Sequence, residues 1–214
     1  METVAEIAAK GQVYKLLSSL YCSPGDGLED GDSLSSLGDA LITLRLDSLH
    51  KELERMKSCL TSPESRTQLA VDYVKLFRGP VKAEVYPYES LHTDGEAMGS
   101  STIDVMERYR EAGLAVSKDF KDLPDHVSVE LEFMHYLCSM QLQCLERKDA
   151  AGELQFNLLR GSFLKEHLAK WVPGFADKIL TSAASPFYSG LAKVTKEFIN
   201  EEYTSTLAAH MPDR

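Results

Sequence analysis

The hydrophobic pattern is densest between Leu123 and Arg147, where apolar residues recur at helical spacing on two faces of one segment. A helix that is apolar on nearly every side is buried among other helices. The first face comprises Val127, Leu131, Met134, Cys138, Leu142 and Leu145, and the second comprises Val129, Phe133, Leu137, Met140 and Cys144. The pattern therefore predicts that this segment is the central helix of the fold.

The start of this segment carries helix-initiating residues and several polar side chains. Pro124 suits a first helical turn, where its missing N–H has no intrahelical partner. Asp122 or Asp125 can cap the free N–H groups of that turn. The polar residues expected at or near the edge of the core are Asp125, His126, Glu130, Glu132 and His135. We therefore place the candidate functional region at the N-terminal end of the central helix.

The rest of the chain repeats the helical spacing, and no strand-like alternation persists over more than a few residues. The residues between Cys22 and Ser33 are rich in Pro, Gly and Asp and are predicted to form a loop. Further helices are predicted over 3–21, 34–60 with a possible break, from 63 onward, 101–113, 150–171, 174–183 and 186–207. The sequence thus predicts an all-α fold, with residues 1–214 forming a single-domain helical bundle of about eight to ten helices around the central one.

Several of these helices carry boundary signals. Thr61 or Ser62 is a predicted N-cap ahead of Pro63, and the run Ser101–Asp104 has the spacing of a capping box. Pro173 is predicted to end or kink the helix that begins near residue 150. The predicted apolar stripe of that helix includes Leu154, Leu158, Leu168 and Trp171.

The segment between Gly79 and Gly99 interrupts the helical pattern. It contains several Gly and Pro residues around an aromatic patch, Val85–Tyr88. Loops of about 20 residues in compact domains are usually functional or disordered. Aromatic residues favour burial, so we interpret this segment as a structured functional loop.

Charge narrows the classes of partner. The formal net charge is −10 at pH 7, with 26% charged residues. Binding to a nucleic-acid backbone needs a basic surface, so the charge argues against a nucleic-acid partner. It is compatible with a basic partner such as a cationic peptide, and equally with an acidic surface that only maintains solubility.

The remaining composition indicates a cytoplasmic protein. The four cysteines form no CxxC pair, and buried thiols in a reducing compartment account for them. The N-terminal residues lack the apolar core of a signal peptide, and no apolar run is long enough for a membrane span. We therefore expect no stable insertion into a membrane.

Two Glu-x-x-His pairs raise the possibility of a metal site. Glu132 and His135 lie on the central helix, and Glu89 and His92 lie in the loop. Di-iron bundles use two such pairs on facing helices together with two more glutamates. The second pair follows Pro87 and has little helix around it, so we expect no metal or other cofactor. A helical metalloenzyme that uses Glu132 and His135 remains the first alternative function.

Other constellations are weaker. His126 and Glu130 are four residues apart, which predicts an ion pair or a hydrogen bond between them. The run Gly99–Thr102 can cradle a phosphate at a helix N-terminus, but it lacks the lysine and the spacing of a Walker loop. Plain capping is the simpler interpretation of that run. No nucleophile elbow or HExxH motif is present, and no catalytic residues are predicted.

Three groups of segments, in this order along the chain, resemble the TorD/DmsD/NarJ-like family of redox-enzyme maturation chaperones. The segments are Leu76–Pro80 with Val85–Ser90, then Leu123–His126 with Glu130–Met134, then His167–Pro173. The ordered combination is specific, and the resemblance covers roughly residues 10–200. It implies an all-helical cytoplasmic protein without catalytic activity.

The resemblance also implies a partner. Members of the family bind the twin-arginine signal peptide, or another part, of a molybdopterin-containing oxidoreductase subunit and prevent its premature export until the cofactor is inserted. The resemblance implies a peptide-binding surface at Pro87, Tyr88, Ser90, Asp125 and His126. Relatives often carry Trp at the position of Tyr88.

We add Glu130 to this surface because of its helical spacing to His126. The family includes monomers and domain-swapped homodimers, and the sequence favours neither. A nucleotide-hydrolysing assembly factor is the second alternative function, because nucleotide binding has been suggested for family members. The sequence does not identify the client oxidoreductase.

Overall fold

The computed structural model describes residues 2–24, 31–79, 83, 85–115, 122–182 and 185–209, and α-helices dominate this part of the chain. The helices are α1 (Val4–Leu20), α2 (Gly31–Thr43), α3 (His50–Ser58), α4 (Pro63–Tyr73), α5 (Glu89–Thr93), α6 (Ser100–Glu111), α7 (Val127–Arg147), α8 (Ala150–Phe163), α9 (Ala169–Thr181) and α10 (Pro186–Ala209). The predicted all-α bundle is therefore confirmed. No helix in these ranges is long and apolar enough to cross a membrane.

Some sequence predictions concern residues outside the described ranges. Most of the predicted loop between Cys22 and Ser33, Pro80 of the first resemblance segment, and residues 116–121 ahead of α7 lie outside the described ranges.

Helix α7 is the central helix, as predicted. It packs between α1 and α8, and its two apolar faces are buried over most of its length. The aromatic ring of Phe133 lies 4.7 Å from the ring of Tyr109 and 4.8 Å from that of Phe163, measured between centroids. Burial ends towards the C-terminus, where Leu145 is 37% exposed, because α7 leaves the core there.

The start of α7 differs from the prediction. The helix begins at Val127 and its N-cap is His126, so Pro124 and Asp125 belong to the preceding turn and not to the first helical turn. The hydroxyl of Tyr109 donates a hydrogen bond to the carbonyl oxygen of Pro124 (2.9 Å). This contact with α6 fixes the turn from outside the helix, and sequence spacing within α7 carries no signal for it.

The predicted helix end at Pro173 was wrong. Pro173 lies inside α9 and does not end the helix. A wide π-helical turn, Leu164–Leu168, joins α8 to α9 just before Ala169. Pro173 has no N–H, so the carbonyl of Ala169 receives no helical hydrogen bond from it. The predicted apolar stripe of this region was wrong at Leu154 and Leu158, which are both 54% exposed.

Other boundaries follow the sequence signals. Ser62 caps α4 by accepting a hydrogen bond from the N–H of Ser65, and Pro63 is the first residue of that helix. The predicted break between residues 34 and 60 occurs after α2, where Arg45 adopts a left-handed conformation (φ 61°). A short 3₁₀ turn, Asp47–Leu49, then leads into α3.

The aromatic packing on α7 generates a stability prediction. Phe133 is 3% exposed and contacts rings from α6 and α8, so Phe133→Ala leaves a cavity between three helices. We expect a loss of about 3–5 kcal/mol in the free energy of unfolding, measured by urea denaturation. Glu132→Ala, one residue away on the exposed side of α7, is the control and should change stability by less than about 0.5 kcal/mol. Equal losses in the two variants would contradict the assigned packing.

Candidate functional site

Two segments singled out by the sequence resemblance pair with each other at the N-terminal end of α7. The N–H of Val127 donates to the carbonyl oxygen of Pro87 (2.9 Å), and the N–H of Glu89 donates to that of Asp125 (3.0 Å). Tyr88 and His126 form an isolated antiparallel bridge between these bonds. We call the region formed by residues 85–90 and 122–127 the mouth.

Asp125 fastens the two segments through its side chain. Its Oδ2 accepts a hydrogen bond from the N–H of Ser90 (2.9 Å) in the first turn of α5. Asp125 and Ser90 are both 0% exposed. The predicted cap on α7 and the predicted position near the edge of the core were therefore wrong, because this carboxylate caps a different helix across the mouth.

His126 has a local role at the start of α7. Its Nδ1 accepts a hydrogen bond from the N–H of Ser128 (3.1 Å) and lies 2.7 Å from the hydroxyl of the same residue. Burial lowers the pKa of His126 to about 4, so the ring is neutral at pH 7. The predicted pairing with Glu130 was wrong, because the imidazole bonds to Ser128 and carries no charge.

Glu130 faces the interior and not the solvent. It is 0% exposed, and its Oε2 accepts a hydrogen bond from the indole N–H of Trp171 (3.0 Å). Burial, followed by the nearby carboxylate of Glu89, raises the pKa of Glu130 well above its usual value. Burial and Glu89 therefore favour the protonated form of Glu130, whose hydroxyl can donate to Glu89.

The buried carboxylate of Glu89 has a histidine as its side-chain partner. Nδ1 of His167 lies 2.9 Å from Oε2 of Glu89, and both side chains are almost fully buried. Nε2 of the same ring lies 3.5 Å from Oδ2 of Asp104, which is half exposed. The pair links α5 to the π-helical turn before α9, directly behind the mouth.

The outer wall of the mouth consists of Tyr88 and Asp122, and Arg78 lies against this wall. The hydroxyl of Tyr88 donates to Oδ1 of Asp122 (2.7 Å), and the guanidinium of Arg78 donates to Oδ2 (2.8 Å). The ring of Tyr88 meets the ring of His126 edge-on, with centroids 5.2 Å apart. This wall connects the buried part of the site to solvent.

The structure brings all six predicted site residues to the mouth or to the core directly behind it. Only one of them reaches solvent to a substantial degree, and that residue is Tyr88. The other five are buried: Pro87, Ser90, Asp125, His126 and Glu130. Their common arrangement is that of a rigid support behind a small exposed face.

The two Glu-x-x-His pairs do not act as units. Glu132 is exposed, whereas Nδ1 of His135 lies 2.9 Å from the carbonyl oxygen of Gly11. Glu89 faces His167, and Nε2 of His92 bonds to the carbonyl oxygen of Tyr86. Within the described residues, no group of three or more His, Cys, Asp or Glu side chains is arranged to hold a metal ion.

The predicted phosphate cradle is occupied by a side chain of the protein. The carboxylate of Asp94 accepts hydrogen bonds from the N–H (2.9 Å) and the hydroxyl (2.6 Å) of Ser101 at the start of α6. The N-cap residue is Gly99, where a Cβ atom would collide with this carboxylate. The predicted Ser101–Asp104 capping box was therefore wrong, because Asp94 caps the helix from the preceding turn.

Sequence reasoning missed part of the site. Asp122 was considered only as a cap, and Arg78 only as a member of a resemblance segment. Glu89 was considered as a metal ligand and Trp171 as part of an apolar stripe, and both also belong to resemblance segments. The one signal that pointed to them was the ordered set of segments, which contains Arg78, Glu89, His167 and Trp171. Their contacts span long stretches of chain, and helical periodicity carries no information on such contacts.

The raised pKa of Glu130 generates a pH prediction. An acid whose pKa is higher in the folded than in the unfolded protein costs stability as the pH rises above its unfolded value, near 4.5. Glu130→Gln keeps an acceptor for Trp171 and a donor for Glu89. Its melting temperature relative to the parent should therefore increase between pH 4.5 and pH 7, measured by calorimetry.

The control for this prediction is Glu132→Gln, on the exposed side of α7. It should shift the melting temperature by the same small amount at each pH. A constant loss of stability in Glu130→Gln across this pH range would mean that Glu130 is charged in the folded protein.

Comparison with known proteins gives consistent relatives. The chain is 26% identical over 206 residues to the chaperone protein TorD of Vibrio cholerae serotype O1, covering 90% of each chain. It is 24% identical over 214 residues to the perchlorate reductase assembly chaperone protein of Dechloromonas aromatica, covering 94% of this chain and 91% of that protein.

A solved structure and a family profile complete the comparison. The crystal structure of a candidate redox enzyme maturation protein from Archaeoglobus fulgidus matches with a TM-score of 0.55 at 20% identity, covering 89% of this chain and 93% of that one, which supports the same all-α fold. The profile of the nitrate reductase delta subunit family matches residues 45–177. The match spans more than half of the sequence and confirms the resemblance, so the chain belongs to the nitrate reductase delta subunit family of TorD/NarJ-like proteins.

Proposed function

We propose that this chain, acting as a single helical domain in the cytoplasm, is a maturation chaperone for a molybdopterin-containing oxidoreductase. It binds the twin-arginine leader, the apo form of the catalytic subunit, or both. Binding assists cofactor insertion and prevents premature export. Family membership and the names of the relatives from Vibrio cholerae and Dechloromonas aromatica support a chaperone without a reaction of its own.

One observation identifies the surface to which we assign leader binding. Segments far apart in the sequence, which together gave the family resemblance, meet at the mouth through the backbone bonds between Pro87 and Val127 and between Glu89 and Asp125. Three-dimensional convergence of such segments favours a shared role over separate structural roles. We therefore assign leader binding to the mouth.

The chemistry of the mouth suits a cationic, partly apolar peptide. The chain has a net charge of −10, and the carboxylate of Asp122 lies beside the partly exposed aromatic ring of Tyr88. Arginine side chains form charge-assisted hydrogen bonds with such carboxylates. A leader with paired arginines followed by an apolar segment provides both kinds of contact.

The buried residues of the mouth act by positioning. Asp125 holds the first turn of α5, and His126 caps α7. Glu130 supports Trp171 from below through its hydrogen bond. With these side chains closed off from solvent, we assign direct contact with the leader to Tyr88 and its exposed neighbours, and assign Ser90, Asp125, His126 and Glu130 to maintaining the shape of the surface.

The proposed function predicts sequence-specific binding of a leader. The probes are synthetic leaders of the molybdopterin oxidoreductases encoded in the same genome, titrated into the purified chain by calorimetry. At least one leader should bind about 10-fold or more tightly than its scrambled version, because scrambling keeps the composition but separates the arginines from the apolar segment.

Salt separates two origins of this binding. Affinity for the specific leader should fall only moderately between low and physiological salt, since apolar burial contributes alongside the charges. Equal affinity for every leader and its scrambled form, with a steep loss in salt, would reduce the interaction to non-specific attraction and overturn the proposed function.

A further inference from the structure

Among the described carboxylates at and behind the mouth, one is reachable from solvent. The exposed fractions of Glu89 and Asp125 are 2% and 0%, and Glu130 behind them is 0% exposed. The side chain of Asp122 is 20% exposed. An arginine of a bound peptide therefore meets Asp122 first, and this residue was not among the predicted site residues.

Asp122 is held in one orientation. Its Oδ1 accepts two hydrogen bonds, from the hydroxyl of Tyr88 (2.7 Å) and from the N–H of Leu123 (2.9 Å). Burial alone would raise the pKa of Asp122, but these bonds and the nearby guanidinium of Arg78 outweigh it and keep the pKa below its usual value. The side chain thus stays charged at pH 7 and presents Oδ2 outward.

A guanidinium already occupies this position. Nη2 of Arg78 lies 2.8 Å from Oδ2 of Asp122, while the side chain of Arg78 is 52% exposed. Half-exposed ion pairs of this kind contribute only about 0–1 kcal/mol, so a competing arginine can displace Arg78 at little cost. The contact shows directly which chemical group the site accepts.

An exposed apolar stripe leads to the same place. Val71 and Val74 are 55% and 51% exposed and lie seven and four residues before Arg78 on the continuous helix of α4 and the π-helical turn Val74–Arg78. This spacing sets the two valines and the arginine on neighbouring positions of one helix face. An apolar segment next to an arginine in a bound peptide finds a matching surface there.

We propose that Asp122, oriented by Tyr88, receives an arginine of the client leader. The apolar part of the leader lies along Val71 and Val74. Arg78 occupies the arginine position until the leader displaces it. The proposal rests on the proposed function and identifies the contact residues and an internal competitor within it. Two consequences follow: removing the competitor tightens binding, and removing the receptor carboxylate weakens it.

The test uses the full chain with the leader selected by calorimetry as the probe. Arg78→Gln should bind this leader about 3- to 10-fold more tightly than the parent, and Asp122→Asn should bind it about 10-fold or more weakly. The matched control is Arg55→Gln, which removes the same charge from a 54% exposed side chain paired with Glu52 on α3. It should change the affinity less than about 2-fold, since its distance from the mouth leaves only screened attraction.

A double variant and a second peptide isolate the mechanism. In the Asp122→Asn background, Arg78→Gln should give no further gain, because the competitor has no carboxylate to occupy. A leader with both arginines replaced by glutamine should bind Arg78→Gln and the parent equally. Melting curves establish that each variant is folded.

A separate pair of variants tests the apolar stripe. Val74→Ser should weaken leader binding about 3- to 10-fold through lost apolar burial, whereas Ile42→Ser, at an equally exposed position on α2, should not.

If the parent binds the leader but folded Arg78→Gln binds it no more tightly, the competitor assignment is overturned while the chaperone function stands. If Asp122→Asn or Val74→Ser binds like the parent, the corresponding contact is overturned. If neither the parent nor any variant binds a leader, the proposed function and this surface are both overturned.

Discussion

The organisation of the site depends on one hydrogen bond, from the N–H of Ser90 to the carboxylate of Asp125. Both partners are fully buried, so the N–H would have no water to replace a lost acceptor. An unsatisfied buried donor costs about 1–3 kcal/mol, so this bond stabilises the pairing of the two segments by a comparable amount. Asp125 therefore couples the start of α5 to the turn before α7, and the positions of Tyr88 and His126 follow from that coupling.

When several carboxyl groups are buried together, each one needs a hydrogen-bond partner, a counter-charge or a proton. Asp125 accepts a hydrogen bond from a backbone N–H, and Glu89 lies within hydrogen-bond distance of His167. Burial and Glu89 raise the pKa of Glu130, which favours its protonated form. This division leaves Asp122, whose side chain is 20% exposed, as the carboxylate that reaches solvent among the described residues of the mouth. The interior acids thus set the geometry, and the outer acid is available for recognition.

The sequence determined the fold more completely than the site. The apolar periodicity of α7 and the capping signal at Ser62 are local, and the structure confirmed both. The site depends on contacts between residues distant in the chain, such as Asp125 with Ser90, and no local pattern encodes these contacts. For the same reason the cap on α6 was misassigned, since Asp94 reaches that helix from a separate turn.

The exposed leucines of α8 illustrate a second limit of prediction from hydrophobic periodicity. Leu154 and Leu158 have the spacing of a buried stripe, yet the face they occupy is turned away from α7. Periodicity predicts that a helix has an apolar face, but the rotation of the helix against its neighbours is set by the whole core. The resemblance to a family succeeded where periodicity did not, because it carried information on distant segments.

The most direct test of the account is a map of the surface that a bound leader covers, obtained by nuclear magnetic resonance on the isotope-labelled chain. The account predicts that the largest shifts of backbone amides on adding the leader occur at Val74, Arg78, Tyr88 and Leu123. The control region is the charged cavity of about 460 Å³ that Lys10, Arg160 and Glu202 help to line. Shifts concentrated in that cavity, with the mouth unchanged, would contradict the central claim that the mouth is the client-binding surface.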